Sequence, residues 1–442
     1  MPGTDGGAGP PKPGRDLGRR ARAAIVDVSA IREDRHFRRL WSGMVLSEFG
    51  RQVIIISMPL EVYLRTGSTL AVGLLAAVEL TALVTLSLPA GALADALDRR
   101  KLLLVTQGIL AACALVLAIS AAVPGTPIAI VYVTAFVLFA AGAIDRPARK
   151  AALYSVVRRD LMNSAVAVDQ ASIQLASVAG PGLGGLVIGT LGLSAAFVMA
   201  VLAFGAMIVV LAGLAVAISP AQAPMRRLRG VRDGLSFVRS RPVILSTMAL
   251  DFTAMVFGFP SALFPALAIS VFAVGGAGYG LLAGAPAAGA LVSSFLSGSL
   301  TSMRRKGRGV ITLFCLWGLA IALFGLATFA VAFPVAVLFL GLAGAFDIAA
   351  AVLRASIVQG NTPDEMRGRV VSINLLASQT GPRLGDLEAT TVASLTSAAF
   401  SIVSGGLLCI LCTLVVARQF PALRAYVDPH HDPVVEPTAA AA

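Results

Sequence analysis

Residues 102–123 read LLLVTQGILAACALVLAISAAV, directly after the charged residues Arg99, Arg100 and Lys101. The stretch carries no charge and is apolar on every helical face. A helix needs about 20 consecutive apolar residues to cross the hydrocarbon core of a membrane. Strands of membrane barrels instead alternate apolar and polar residues over about ten positions. Residues 102–123 therefore predict a transmembrane helix.

The composition extends this prediction to the whole chain. Hydrophobic residues make up 57% of the 442 residues and charged residues only 13%, about half the charged share of soluble proteins. Similar apolar runs recur between Leu40 and Val416, and they predict an all-α membrane protein of about twelve transmembrane helices. The predicted spans are 40–64, 69–94, 102–123, 127–147, 162–188, 193–217, 243–269, 276–301, 309–331, 334–356, 366–392 and 396–417.

The positive charges predict the topology. Outside the spans, Lys and Arg lie in the N-terminal arm, the even-numbered loops and the C-terminal tail, and only Arg65 lies in an odd-numbered loop. Positive charge in short loops marks the cytoplasmic side. We therefore expect a multi-pass protein of the inner (plasma) membrane with both termini in the cytoplasm. The net charge is +12, but the positive residues are distributed as in a membrane protein, so the charge does not indicate a nucleic-acid partner.

The chain contains an internal repeat. Ser177–Leu186 reads SVAGPGLGGL, and Ser378–Leu387 reads SQTGPRLGDL. Glu48-Phe49 in the first half corresponds to Asp251-Phe252 in the second half, at a similar offset. A duplicated six-helix unit explains these pairs. The predicted organisation is an N-terminal arm (1–38), two pseudo-symmetric six-helix bundles (39–218 and 243–418), a cytoplasmic linker (219–242) and a cytoplasmic tail (419–442).

Gly91–Lys101, which reads GALADALDRRK, resembles the signature loop of the major facilitator superfamily. It departs from that pattern at Ala96, where Arg is usual, and at Asp98, where Gly is usual. Gly180–Gly185 resembles the antiporter motif of the same superfamily, which favours export over uptake. Pro59–Ser68, Arg146–Arg149 and Thr362–Arg369 resemble the enterobactin (siderophore) exporter and transmembrane secretion effector group.

The resemblance implies a secondary transporter that exports a small amphipathic molecule, a siderophore or a drug, by alternating access. It implies the lipid bilayer, the substrate and protons as partners, and a monomer. The sequence has no nucleotide-binding loop, so we expect no cofactor. No nucleophile motif and no cluster with metal-ligand spacing is present, so we expect neither an enzyme nor a metal site. A nutrient importer and a non-transporting membrane sensor on the same fold are the alternatives.

Charges inside a membrane cost a few kcal/mol each and mark functional sites. Six of them are candidates for the proton pathway or the substrate cavity. Two pairs have a structural alternative, because Glu48 with Arg51 and Arg383 with Asp386 have the i,i+3 spacing of helix-surface ion pairs. The six candidates are Glu48, Arg51, Glu79, Asp251, Arg383 and Asp386.

The resemblance implies a gating latch, whose contacts would lock the outward-open state and break when the cavity opens inward. Asp95 is expected to face the positive N-terminal end of the eleventh helix, and Arg99, beside Arg100, is expected to reach Asp145. In the second half, Asp347 is expected to pair with Arg304 or Arg305. The alternative is that Asp145 and Asp347 are solvated charges at helix ends.

Two Gly-Pro pairs, Gly180-Pro181 and Gly381-Pro382, are predicted to bend their helices, since proline removes a backbone hydrogen bond. Gly184, beside the first pair, belongs to the same motif. Close packing of helices through glycine is the alternative role.

Overall fold

The computed structural model describes residues 27–96, 98–213, 227–301 and 303–427, and the regular structure in these residues is helical. Twelve of the described helices have 16 residues or more. The connector between the two halves contains a shorter helix of 14 residues. In chain order the twelve are α1 Arg35–Thr66, α2 Thr69–Ala96, α3 Arg99–Ala122, α4 Ile128–Val156, α5 Met162–Leu191, α6 Leu193–Ala212, α7 Pro242–Phe257, α8 Gly275–Thr301, α9 Lys306–Phe329, α10 Phe333–Gly360, α11 Asp364–Leu395 and α12 Ala398–Gln419.

Short polar caps set several helix ends. The Asp34 carboxylate accepts hydrogen bonds from the backbone N–H groups of His36 and Phe37 at the start of α1. Asp98 does the same at the start of α3, where it accepts from the N–H groups of Arg100 (2.9 Å) and Lys101 (3.3 Å). Asp98, which stands where the superfamily's signature loop usually has glycine, is thus the N-cap of α3.

Within the described residues, nine helices are long and apolar enough to cross a membrane. The three other long helices, α1, α8 and α11, have 27 to 32 residues. At 1.5 Å per residue each exceeds the roughly 30 Å of the hydrocarbon core. Helices α1 and α11 carry the charged candidates, and α8 is rich in glycine. That α1, α8 and α11 also cross the membrane, which would make twelve spans, stays a prediction.

The seventh predicted span, 243–269, is not one continuous helix. Helix α7 ends at Phe257, and the chain continues through a 3-10 turn at Ser261–Leu263 and a π-helical turn at Leu267–Val271. Pro260 has no N–H to donate and lies in the non-helical residues between α7 and the 3-10 turn. The break frees the backbone around Ser261 to bind a side chain of another helix.

The helices pack as two groups of six. In the first group, α3 and α1 pack on α6 around Phe197 and Phe204. In the second, α9 packs on α10 and α12 around Phe314, Trp317 and Phe324. Residues 214–226 of the connector lie outside the described residues, and a helix follows at Arg227–Ser240.

The two groups meet at the end of the molecule where α1 ends and α8 begins, called here the far end. There α5 packs on α8, and α2 packs on α11. The backbones of Gly185 and Gly280 approach so closely that neither position has room for a side chain. The Tyr279 hydroxyl donates to the carbonyl of Ile56 over 2.7 Å, a hydrogen bond between the groups.

The opposite end, where α1 begins and α12 ends, is called the terminal end. One hydrophobic cluster here contains Phe37, Leu103 and Leu211, all from the first group. Another contains Ile244 and Val370, both from the second. Among the described residues, neither cluster mixes the two groups. The two halves are therefore joined at the far end and have separate cores at the terminal end.

Candidate transport site

A buried charge network holds α1, α3 and α4 together. Asp145 on α4 is 0% exposed and pairs with Arg149 over 2.5 Å and with Arg51 over 3.5 Å. The hydroxyl of Thr106 and the amide of Gln107, both on α3, donate to its Oδ1 over 2.9 and 2.7 Å. The alternative that Asp145 is a solvated charge is therefore wrong.

Arg51 connects Asp145 to a second carboxylate. Its Nη2 atom lies 3.2 Å from Glu48 Oε2, so the predicted i,i+3 ion pair is formed. The Gln52 amide donates to the other Glu48 oxygen over 3.3 Å. Glu48 and Arg51 are therefore parts of one network of alternating charges, in which Arg51 sits between two acids.

The contact between Arg99 and Asp145, which is expected to lock the outward-open state, is not formed in this structure. Arg99 donates to the carbonyl of Ala151 over 3.3 Å. Arg100 donates to the carbonyls of Leu211 and Ala212 at the end of α6, where the negative end of the helix dipole favours a cation. Arg99 and Arg100 therefore connect helix ends, while the cations that pair with Asp145 lie inside the bundle. The side chain of Asp95, the remaining latch candidate, lies outside the described residues.

A second buried charge cluster lies in the other half. Asp251 on α7 is 2% exposed and forms an ion pair with Arg354 of α10. The Ser378 hydroxyl donates to Asp251 Oδ2 over 3.0 Å, and the Arg354 guanidinium lies 5.3 Å from the centre of the Phe314 ring. Arg354 lies inside α10, which continues past it to Gly360.

Asp347 belongs to the same cluster. Its Oδ1 atom is buried without a hydrogen-bond partner, and the charges that act on it are those of Arg354 and Asp251. This differs from the expected pairing with Arg304 or Arg305. Asp347 is therefore a buried carboxyl beside the ion pair of Asp251 and Arg354.

A third group of charges joins the two halves. Glu79 on α2 lies 3.5 Å from Arg383 on α11, and the Arg383 guanidinium lies 5.9 Å from the centre of the Phe139 ring on α4. Asp386 instead accepts from the Ser261 hydroxyl (2.9 Å) and the Ala262 N–H (2.8 Å) at the break after α7. Arg383 and Asp386 thus have different principal partners, and Arg383 bridges the halves.

The Gly-Pro positions lie inside continuous helices. Helix α5 runs through Pro181, and α11 runs through Pro382. Gly180 and Gly184 pack against Gln52 and Ile56 on α1. Gly381 in the same way packs against Met255 of α7. These contacts match the packing role, and a hinge role stays a prediction.

Two charged residues outside the predicted set lie within these helices. Glu61 is 1% exposed and pairs with Arg65 over 2.7 Å, near the far end. Arg146, at the end of the predicted fourth span, lies within α4, which continues to Val156. The signal available in the sequence was the apolar run on both sides of Glu61 and the helix-forming residues that follow Arg146.

The sequence profile of transmembrane secretion effectors matches residues 28–439. The chain belongs to this family. The enterobactin exporter EntS of Citrobacter koseri is 27% identical over 88% of this chain and 94% of its own length. The exporter of the same name from Escherichia coli O81 is 26% identical over 90% of this chain and 96% of its own length. This effector-family chain is therefore a multi-pass transporter of the inner membrane and not an enzyme.

Solved structures support the fold. A bacterial homologue of the iron transporter ferroportin in an inward-facing state has a TM-score of 0.68 at 13% identity, over 89% of this chain and 99% of that one. A bacterial homologue of the lysosomal transporter Spinster, inward-facing and unoccupied, has a TM-score of 0.67 at 13% identity, over 88% and 98%. The all-α membrane fold predicted from the sequence is thus confirmed.

Proposed function

We propose that this protein is a secondary active exporter of a small amphipathic molecule and works by alternating access. The observation that carries the proposal is the junction of the two halves at the far end, with separate hydrophobic cores at the terminal end. Two such bundles can rock about a central site and expose it to each side in turn. With both termini proposed to be cytoplasmic, the described state would be the one open toward the cytoplasm.

The pair of Glu79 and Arg383 is the proposed link between transport and protons. The two residues lie in opposite halves, so opening of the far end must separate them. A carboxylate that loses its cation inside a membrane is costly unless it gains a proton. Protonation of Glu79 would therefore favour the outward-open state, and proton release on return would complete an antiport cycle.

The proposed substrate is a siderophore or a drug, and the enterobactin exporters named above support the first class. The proposed transporting unit is the monomer, because each chain has both six-helix groups. Glu48, Arg51 and Asp251 are proposed to shape the cavity rather than to carry protons, since each has an ion partner within its own half.

The test uses everted membrane vesicles that contain the full chain, with enterobactin and a cationic dye as probes. Uptake of one probe is expected when the vesicle interior is acidic, and a protonophore should abolish it. Glu79→Gln should uncouple uptake from the gradient. Glu33→Gln, a matched change at an exposed ion pair, should not. Uptake that ignores the gradient in wild type would contradict antiport, and absence of uptake of a wide substrate panel would contradict export.

A further inference from the structure

Arg146 is the least neutralised cation of the central charges described above. Its side chain is exposed, and no described carboxylate lies within ion-pair distance of it. Arg51 and Arg149, by contrast, are buried in ion pairs. Arg146 follows Phe139 by two turns of α4, and the Phe139 ring faces Arg383 of the other half, so Arg146 is on the side of α4 that faces the space between the halves.

The face of α4 that carries Arg146 is open. Phe139 precedes Arg146 by seven residues, which is two turns or about 10.5 Å along the same helix face. Gly142 lies between them, and a side-chain carbon added there would meet no other atom within 4 Å. Many other glycines of this chain are packed against a neighbouring helix, as Gly185 is. The space next to Gly142 is therefore bounded by an aromatic ring at one end and a guanidinium at the other.

The opposite wall contains a second cation. Arg383 of α11 lies over the Phe139 ring, so the open space on α4 has one arginine from each half at its border. Arg383 is already paired with Glu79, whereas the guanidinium N–H groups of Arg146 form no ion pair with a described carboxylate. A guanidinium binds a carboxylate or sulfonate through two parallel hydrogen bonds, and an aromatic face is suited to a flat ring.

We propose that Phe139, Gly142 and Arg146, with Arg383 opposite, form a binding site for an aromatic anion. The acid group binds Arg146, and the ring lies beside Gly142 against Phe139. This inference rests on the proposed function, because it names the substrate class of that cavity. An anion that also reaches Arg383 would compete with Glu79, which links substrate binding to the contact between the halves.

The test compares two probes that differ by one acid group, anilinonaphthalene sulfonate and its neutral parent phenylnaphthylamine. Binding of each is measured to the full chain in nanodiscs, with protein-free nanodiscs as the background. The wild type should prefer the anion. Arg146→Gln should weaken anion binding by about tenfold or more, the loss of a charged hydrogen bond, and should leave the neutral probe unchanged. Arg146→Lys should keep most of the anion preference.

Two further variants control for folding and shape. Arg158→Gln removes an exposed arginine outside the site and should change neither affinity. Gly142→Leu fills the open space and should weaken both probes. Equal wild-type affinity for the two probes, or an unchanged anion preference in Arg146→Gln, would overturn the site. The binding assay needs no gradient, so it can be scored separately from export. If export is intact but the two probes bind equally well, only the site is refuted. If the anion is preferred but no export is measured, only the proposed function is refuted.

Discussion

Replacing Arg354 with methionine should destabilise the second half of the protein by several kcal/mol. The change removes the guanidinium that pairs with Asp251 and lies over the Phe314 ring. Methionine keeps most of the side-chain length and no charge. Asp251, 2% exposed, then retains the hydrogen bond from Ser378 and has no cation partner.

The magnitude follows from the burial of the pair. Removing one partner of a buried ion pair costs about 3–5 kcal/mol, and loss of the cation–π contact adds about 0.5–2 kcal/mol. Replacing both partners leaves no uncompensated charge, so the double variant Asp251→Asn with Arg354→Met should be closer to wild type than Arg354→Met alone. The coupling energy of the double-mutant cycle should therefore be about 2–3 kcal/mol.

The assay is unfolding of the detergent-purified protein by SDS, followed by tryptophan fluorescence. Trp317 is buried with its ring centre 5.7 Å from that of Phe314, so it reports on this region. The control is Arg369→Met, which breaks an exposed pair with Asp233 and should cost no more than about 1 kcal/mol. A coupling energy below about 0.5 kcal/mol would refute the reasoning, because the pair would then behave like the exposed one.

Three further changes test the contact between the halves and one helix cap. Tyr279→Phe removes the hydrogen bond to Ile56, worth about 1 kcal/mol, so spin labels across the far end should show a roughly fivefold rise in the separated state; unchanged distances would argue against this contact. Gly185→Leu should abolish transport because no side chain fits there, whereas Gly182→Leu has open space and should be tolerated; equal activity of the two would contradict the packing argument. Asp98→Ala removes the N-cap of α3 and should lower resistance to SDS by about 1 kcal/mol, with a null result if the cap is dispensable.

The sequence was sufficient for the membrane fold and for the resemblance that the family match confirms. Apolar runs predict membrane helices because the bilayer imposes both length and polarity. The same rule ended the fourth and tenth spans too early, at 147 and 356, since a hydropathy window ends where charge begins. Helix α4 continues to Val156 and α10 to Gly360, and Arg354 is paired with Asp251 on another helix, a partner that no local pattern reveals.

The candidate site was predictable as a set of residues and not as a set of pairs. Intramembrane charge alone singled out Glu79 and Arg383, yet their contact joins different halves and depends on how those halves pack. Asp145 was named through the resemblance, with Arg99 as its partner in the outward-open state. Its cations are Arg51 and Arg149, because burial inside one half favours the nearest donors over an arginine at a helix end.

The bare crossing of Gly185 and Gly280 has a consequence for the energy of switching. Side chains that interlock must be lifted out of their holes before helices can roll, whereas two glycine surfaces have nothing to lift. Packing at this crossing therefore resists rotation of the halves little. The polar contacts of Tyr279 and Glu79 and the apolar contacts of Ile56 and Leu60 with the second half must still break before the far end opens. The polar contacts respond to protons and ligands, so the chemistry of the cargo can control the motion.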